Sequence, residues 1–466
     1  MYIEQLYTNC LSEAAYYIES EGEVAIIDPL RDVAKYIRMA EDRKAHIKYI
    51  FETHFHADFV SGHLDLAKKT GAKIIYGPGA QTGFEKYDAN DGEVFSLGKL
   101  TIKAIHTPGH TLESTCFLLM NEEGKEEAIF TGDTLFVGDV GRPDLFSGNL
   151  SKEELAAMLF DSLQKLKQLP DTVKVYPAHG PGSSCGKNLG PNTHSTLGEE
   201  KETNYAMKAE SKESFIEEVT SGLNTPPAYF PVNASLNQKG YSSLDDVMLE
   251  GLKPLSVSAF KSEITEDTII LDTRKATDFT QAFVPGSINI GLEGRFAEWA
   301  GSLLSFKSPM LLVTEPGMEE ESIIRLTRVG FDQIKGYLQG GMDAWIAAGE
   351  KIDMIIDIEA DEFGMDINYD QKMLVLDVRK ELEFDNGHVQ TAVNIPLQSL
   401  RDLATIANID DHDNIYVHCA GGYRSVIASS LLKRQGLHNI RNILGGYEKI
   451  KQVPKMPLVA AKELLN

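Results

Sequence analysis

At 466 residues the chain is too long for one ordinary core, and a rate of about one domain per 150 residues predicts about three domains. Apolar content of 42% and charged content of 24% exclude long disorder, and the absence of any run of about 18 apolar residues predicts no membrane span. The formal net charge of −24 argues against nucleic acid and anionic membranes as partners, while binding of a small anion depends on local charge instead.

The first residues, Met1-Tyr2-Ile3-Glu4-Gln5, lack the basic region and apolar stretch of a secretory signal, so a cytoplasmic protein is expected. The four cysteines, Cys10, Cys116, Cys185 and Cys419, are scattered and form no CxxC pair, which predicts free thiols rather than a disulfide framework. Core packing is the expectation for Cys10 and Cys116. Eight of the twelve histidines lie at or before His194 and four lie from His388 onward, so the middle of the chain lacks histidine as well as cysteine.

In chain order, Ile47-Lys48-Tyr49-Ile50-Phe51-Glu52-Thr53 reads as a strand with a buried face, which puts His54 at a strand end, where loops carry chemistry. Gly62 to Lys69 has helical spacing, with Gly71 as its C-cap. Ligand-type residues then recur in four clusters. They are His54-Phe55-His56-Ala57-Asp58, His110 in Thr107-Pro108-Gly109-His110-Thr111, Asp133 in Thr131-Gly132-Asp133-Thr134, and His179 in Tyr176-Pro177-Ala178-His179-Gly180. A lone histidine is usually structural, but four such clusters, most of them after strands, predict a metal site. Cys185, in Gly182-Ser183-Ser184-Cys185-Gly186-Lys187, follows His179 closely. That loop is expected to border the metal pocket, with Lys187 attracting the carboxylate or phosphate of a thiol cofactor.

Thr225-Pro226-Pro227 and the residues to about Lys253 are expected to close the first domain. Two copies of one pattern follow. Ile269-Ile270-Leu271-Asp272-Thr273-Arg274 matches Leu374-Val375-Leu376-Asp377-Val378-Arg379, and Gly340-Gly341 matches Gly445-Gly446, at a steady offset of about 105 residues. This is a domain-sized repeat, and its alternating strands and helices predict parallel sheets with helices on both faces. The expected domains are 1–253, 254–355 and 356–466.

In the second copy, Cys419-Ala420-Gly421-Gly422-Tyr423-Arg424-Ser425 follows the apolar strand Ile415-Tyr416-Val417, and a helix is expected from near Ser425. Loop N–H groups, the helix dipole and Arg424 all favour a thiolate or a bound persulfide, and the glycines let the loop curl. In the first copy the matching position is Glu315, followed by Glu319, Glu320 and Glu321, so that copy is expected to be silent.

On the four clusters, residues up to about 250 resemble the metallo-β-lactamase fold, an αββα sandwich, and within it the persulfide dioxygenases, relatives of the glyoxalase II hydrolases. Gly141-Arg142-Pro143-Asp144 also resembles a stretch found after the metal aspartate in that group. Two-metal hydrolases of this fold commonly carry histidine at the place of Phe59, which cannot coordinate. The resemblance implies one mononuclear Fe(II) held by His54, His110 and Asp133, a facial triad suited to O₂ chemistry. It leaves His56, Asp58, His179 and Arg142, with Cys185 and Lys187, to orient ligands or bind substrate, with direct ligation as the competing reading for His56. Where that group has Asp-Tyr after the last histidine, this chain has Gly180-Pro181. The Cys419 loop resembles the rhodanese active loop, with four residues between cysteine and arginine. Tyrosine phosphatases carry five. The implied substrates are a thiol persulfide, O₂ and sulfite, with no nucleic acid and no membrane partner, and a homo-oligomer is compatible with the sequence. Two other readings carry distinct expectations: a zinc thiolester hydrolase of glyoxalase II type with a sulfur-relay tail, and a sulfur-sensing module with a vestigial site.

Overall fold

The structure, a computed structural model, describes residues 1–145, 150–407, 409 and 414–460. These fall into two compact units. The first is Met1–Asp246 with Ile324–Asp332, and the second is Val247–Ile323 with the chain from Gln333 onward.

The first unit holds two six-stranded sheets. One runs in the order Tyr2–Thr8, Glu13–Ser20, Glu23–Ile27, His46–Phe51, Lys73–Tyr76, Tyr87–Asp88. The other runs Ser195–Thr196, Lys174–Pro177, Glu126–Gly132, Thr115–Met120, Leu100–His106, Val94–Leu97. Alternation along each strand explains how the sheets stack, because successive side chains leave opposite faces. In Glu13–Ser20, Ala14, Tyr16 and Ile18 point into the core between the sheets, while Ala15 and Tyr17 pack outward with Tyr36, Ala40 and Leu66 of helices Ala34–Asp42 and His63–Thr70. In the opposite sheet, Phe117, Leu119 and Phe130 meet the shared core. Cys116, Leu118 and Ile129 pack outward with Leu159 and Leu163 of helix Lys152–Leu166. That helix starts at a capping box, Ser151 with Glu154, which satisfies two otherwise orphaned N–H groups. The result is an αββα sandwich with Cys116 in its core, where burial pushes the thiol up to about 11. Helix His63–Thr70 ends at Gly71 in the left-handed region, as its spacing predicts.

The second unit contains two five-stranded, all-parallel sheets of identical topology. The first is ordered Pro254–Leu255, Ile334–Leu338, Met310–Val313, Ile269–Asp272, Ile288–Asn289. The second is ordered Ile356–Ile358, Ile440–Ile443, Asn414–His418, Met373–Asp377, Val393–Asn394. The repeat extends to hydrogen bonds. Asn289 Nδ2 donates to the carbonyls of Asp272 and Arg274, and Asn394 Nδ2 donates to those of Asp377 and Arg379. Helix Tyr423–Arg434 begins two residues before the expected Ser425, because Gly422 at φ 106 turns the chain directly into it. Its residues 425–433 are buried throughout, so it serves as a core element and not as a surface amphipathic helix.

Candidate metal centre and sulfur-transfer loop

The metal candidates converge from three strand ends. His54 lies three residues past strand His46–Phe51, Asp133 directly follows strand Glu126–Gly132, and His110 lies in the turn between strands Leu100–His106 and Thr115–Met120. His54 Nε2 is 3.7 Å and His110 Nε2 3.5 Å from Asp133 Oδ2, and all three side chains are buried. Each histidine has its other nitrogen committed. His54 Nδ1 lies 3.0 Å from Thr53 Oγ1, whose own hydroxyl donates to Asp28 at 2.8 Å, and His110 Nδ1 donates to the Arg142 carbonyl at 2.9 Å. That network assigns the tautomers and leaves both Nε2 atoms bare toward the carboxylate. Burial, aided by nearby His56, holds His54 well below the ordinary histidine value and so in the neutral form a metal needs.

Asp133 Oδ1 accepts from His179 Nδ1 at 2.7 Å, while Oδ2 is buried without a hydrogen-bond partner among the described residues. Two bare imidazole nitrogens facing an orphaned carboxylate oxygen fit a divalent metal. Glycines permit the close approach. A Cβ on Gly132 would meet Thr53 Oγ1 at 2.5 Å, and one on Gly141 would meet the Asp133 carbonyl at 2.0 Å.

The remaining candidates separate from this triad. His179 is clamped between carboxylates, Nδ1 on Asp133 and Nε2 on Asp58 Oδ2, each at 2.7 Å. Burial opposes its charge, but Asp133 and Asp58 raise it well above the ordinary value. His56 turns to another buried group, 3.1 Å from Asp28 and 3.9 Å from Glu52, and its ring lies 4.3 Å from that of the fully buried Phe59. Cys185 is buried beside Asp58 and His179, where burial and the carboxylates Asp58 and Asp133 push its thiol well up. Arg142 supports the site through its backbone, since its guanidinium is held by Asp144 and the Asn224 carbonyl. Lys187 places its ammonium on the Glu218 carbonyl.

Several residues of this site escape a reading of motifs. Asp28 anchors Thr53 through both its N–H and its hydroxyl, from a left-handed backbone (φ 49) that a non-glycine residue rarely adopts. Its position after the strand Glu23–Ile27 is the same signal that exposed His54. Glu13 gives no such signal. It is wholly buried, neither carboxylate oxygen has a hydrogen-bond partner among the described residues, and burial pushes it up to about 8. The folded protein therefore keeps a proton that the unfolded chain has lost between about 4.5 and about 8. The stability this provides is full below the lower value and is lost as pH rises through the higher one. Melts of metal-free protein from about pH 5 to about pH 8 should show a falling midpoint, and Glu13→Gln should flatten that fall.

The sulfur-transfer candidates converge at the C-terminal ends of strands Asn414–His418, Met373–Asp377 and Ile440–Ile443. Cys419 is almost wholly buried, and the Gly422 N–H donates to its Sγ at 3.1 Å. Ala420, Gly421, Gly422 and Tyr423 curl from the strand into the helix, whose Ser425 Oγ lies 3.7 Å from Sγ and donates to Asn442 Oδ1. Arg424 is held by Glu383 through two bonds of 2.7 and 2.8 Å. Asp377 clamps Arg379, which stacks over Tyr447, whose N–H in turn donates to the Cys419 carbonyl at 2.7 Å. Gly446 (φ +57) sits so close that a Cβ would be 2.4 Å from the Cys419 carbonyl oxygen. Gly446→Ala should therefore cost about 1–3 kcal/mol, read as a lower melting midpoint, and should slow chemistry at Cys419.

Comparison with known proteins agrees with both halves. The family model of the metallo-β-lactamase superfamily matches residues 8–179, and that of the rhodanese-like domain matches residues 256–348 and 360–453. A hydroxyacylglutathione hydrolase from Pelagibacter ubique (strain HTCC1062) is 34% identical over 177 residues, 36% of this chain and 68% of that protein. The crystal structure of a metallo-β-lactamase from Staphylococcus aureus subsp. aureus COL is 32% identical with a TM-score of 0.65, covering 73% of this chain and 99% of that one. The structure of ETHE1 from Myxococcus xanthus is 29% identical with a TM-score of 0.43, covering 51% of this chain. Among the described residues no helix is long and apolar enough to cross a membrane. The chain belongs to the metallo-β-lactamase superfamily and carries two rhodanese-like domains after that fold.

Proposed function

We propose that the first unit oxidises a low-molecular-weight thiol persulfide to sulfite and that Cys419 carries sulfane sulfur to an acceptor. The overall oxidation is RSSH + O₂ + H₂O → RSH + SO₃²⁻ + 2H⁺. The observation that carries this reading is the three-donor set His54, His110 and Asp133, which is distinct from the two neighbouring groups Asp58, His179, Cys185 and Asp28, Glu52, His56. Phe59 has no donor atom, His56 faces Asp28, and both nitrogens of His179 are bound to carboxylates. Bound there, a single Fe(II) would supply open positions and one-electron chemistry toward O₂. The protein's own part is orientation. Thr53 and the Arg142 carbonyl fix the two imidazoles, and His179 fixes Asp133. Cys185, Asp58 and His179, gathered beside Asp133, are the groups proposed to meet a persulfide's sulfur.

In the second unit the donor's outer sulfur is attacked by the Cys419 thiolate. The donor S–S bond breaks, its electron pair leaves on the RS sulfur, which takes up the donor's proton as RSH, and Cys419–S–S⁻ remains, stabilised by the Gly422 N–H. The second reading, a zinc hydrolase acting on a glutathione derivative, draws on the relative's name, hydroxyacylglutathione hydrolase. Metal analysis separates the two. The dioxygenase reading expects about one iron per chain, and two zinc ions with full activity would remove it.

A further inference from the structure

Beside the Cys419 loop lies a cavity of about 360 Å³, shared between the two rhodanese copies. Gly421, Gly422 and Tyr423 of the second copy form one wall, and Lys275, Thr280 and Glu293 of the first form another. The copies are joined closely here. The Tyr423 hydroxyl donates to the Gly291 carbonyl at 2.9 Å, and its ring sits 3.7 Å from where side chains on Gly291 or Gly294 would begin. Val426, on the helix leaving the active loop, packs with Phe279 and Phe283 of the first copy. A hydrogen-bond chain also crosses: Thr280 Oγ1 donates to Asp357, which accepts Asn442 Nδ2, and Asn442 Oδ1 accepts from Ser425 beside Cys419.

Charge at this cavity is informative. The loop's own cation, Arg424, is committed to Glu383, and Arg379 is committed to Asp377. Lys275 is the one cation among the residues lining the cavity. Of the lining carboxylates, Asp357 is bound by Thr280 and Asn442. Glu293 stands 3.7 Å from Lys275 in a pair whose side chains are 77% and 55% exposed. An ion pair that exposed is weak, so an incoming anion can take the lysine from it.

We propose that the first copy, although it lacks the cysteine, binds the sulfur acceptor for Cys419, and that Lys275 receives the acceptor's negative charge. This rests on the sulfur-transfer reading of Cys419. The acceptor is an anionic sulfur nucleophile, either sulfite or a carboxylate-bearing thiol. With sulfite, its sulfur lone pair attacks the outer sulfur of Cys419–S–S⁻, the S–S bond breaks, and its electron pair returns to Cys419 as thiolate. The balance is SO₃²⁻ + Cys–S–S⁻ → S₂O₃²⁻ + Cys–S⁻, with no oxidant required. Lys275 is a positioning residue that sets acceptor affinity.

The test uses the full chain loaded with persulfide, desalted, and mixed with sulfite, glutathione or neutral dithiothreitol, with Cys419→Ser protein as the background. Lys275→Ala should raise the half-saturating concentration of sulfite, of glutathione, or of both by about tenfold, the loss expected for one charge-assisted contact. The maximal rate and the dithiothreitol reaction should be unchanged, and Lys275→Arg should restore affinity. Which anion responds identifies the acceptor. Unchanged affinity for both anions, or equal slowing with dithiothreitol, would overturn the assignment. If wild-type protein transferred no more sulfur than Cys419→Ser, the reading of Cys419 beneath it would fail instead.

Discussion

On the proposed dioxygenase reading, Asp133→Ala should abolish persulfide-dependent oxygen uptake. The expected fall exceeds about 100-fold, since altering groups that merely orient a metal's ligands already costs about 10–100-fold. Asp133 is the only anionic donor of the three, and its Oδ2 is the atom that both bare histidine nitrogens face. Removing it also strands His179, whose Nδ1 loses its partner within a buried site. Iron content should fall with activity. His110→Ala removes one imidazole donor and leaves the Arg142 carbonyl without that partner, but keeps the His179–Asp133 bond, so it should lose uptake as well. Either variant should still make thiosulfate at Cys419 when persulfide and sulfite are both supplied. Oxygen-electrode traces of both variants, with metal analysis, check this, and uptake retained in iron-poor protein would contradict it.

Cys419→Ser should have the complementary effect. A serine hydroxyl stays protonated near neutral pH and is a poor sulfur acceptor, so enzyme-dependent thiosulfate formation should drop to background. The loop should survive the change, because its form is set by the Gly422 turn, the Tyr447 N–H to the residue-419 carbonyl, and the buried helix behind it. Oxygen uptake should persist and sulfite should accumulate. Product analysis by chromatography of the reaction mixture distinguishes the outcomes. A folded, iron-loaded Cys419→Ser protein that consumes no oxygen would show that the two chemistries are not separable.

Much of this was legible in the residues because strand ends announce themselves. His54, Asp133 and Cys419 each lie at or just beyond the end of an apolar strand, and the repeat at about 105 residues emerged from matched strands and glycine pairs. What escaped was set by contacts distant in sequence. Nothing near Glu13 hints that it is buried beside this site, and nothing near His56 hints that it faces Asp28 and Glu52 instead of Asp133. Cys185 is expected in a loop bordering the pocket, orienting ligands or binding substrate, and its thiol is buried against Asp58 and His179. Lys187 lies in the same loop, and its ammonium donates to the Glu218 carbonyl. Lys275 drew no notice because its significance depends on a loop more than a hundred residues later. Folding brings Gly291 to Tyr423 and so makes one cavity from two copies.

The proposed role of the buried His/Asp site is that of an oxygen-consuming iron centre. The most direct measurement is oxygen consumption by iron-loaded protein against a panel of thiol persulfides, with sulfite quantified in the same samples. Saturable uptake is expected with at least one persulfide, with one sulfite formed per O₂ consumed. No uptake with any persulfide, together with thiolester hydrolysis by zinc-loaded protein, would contradict it.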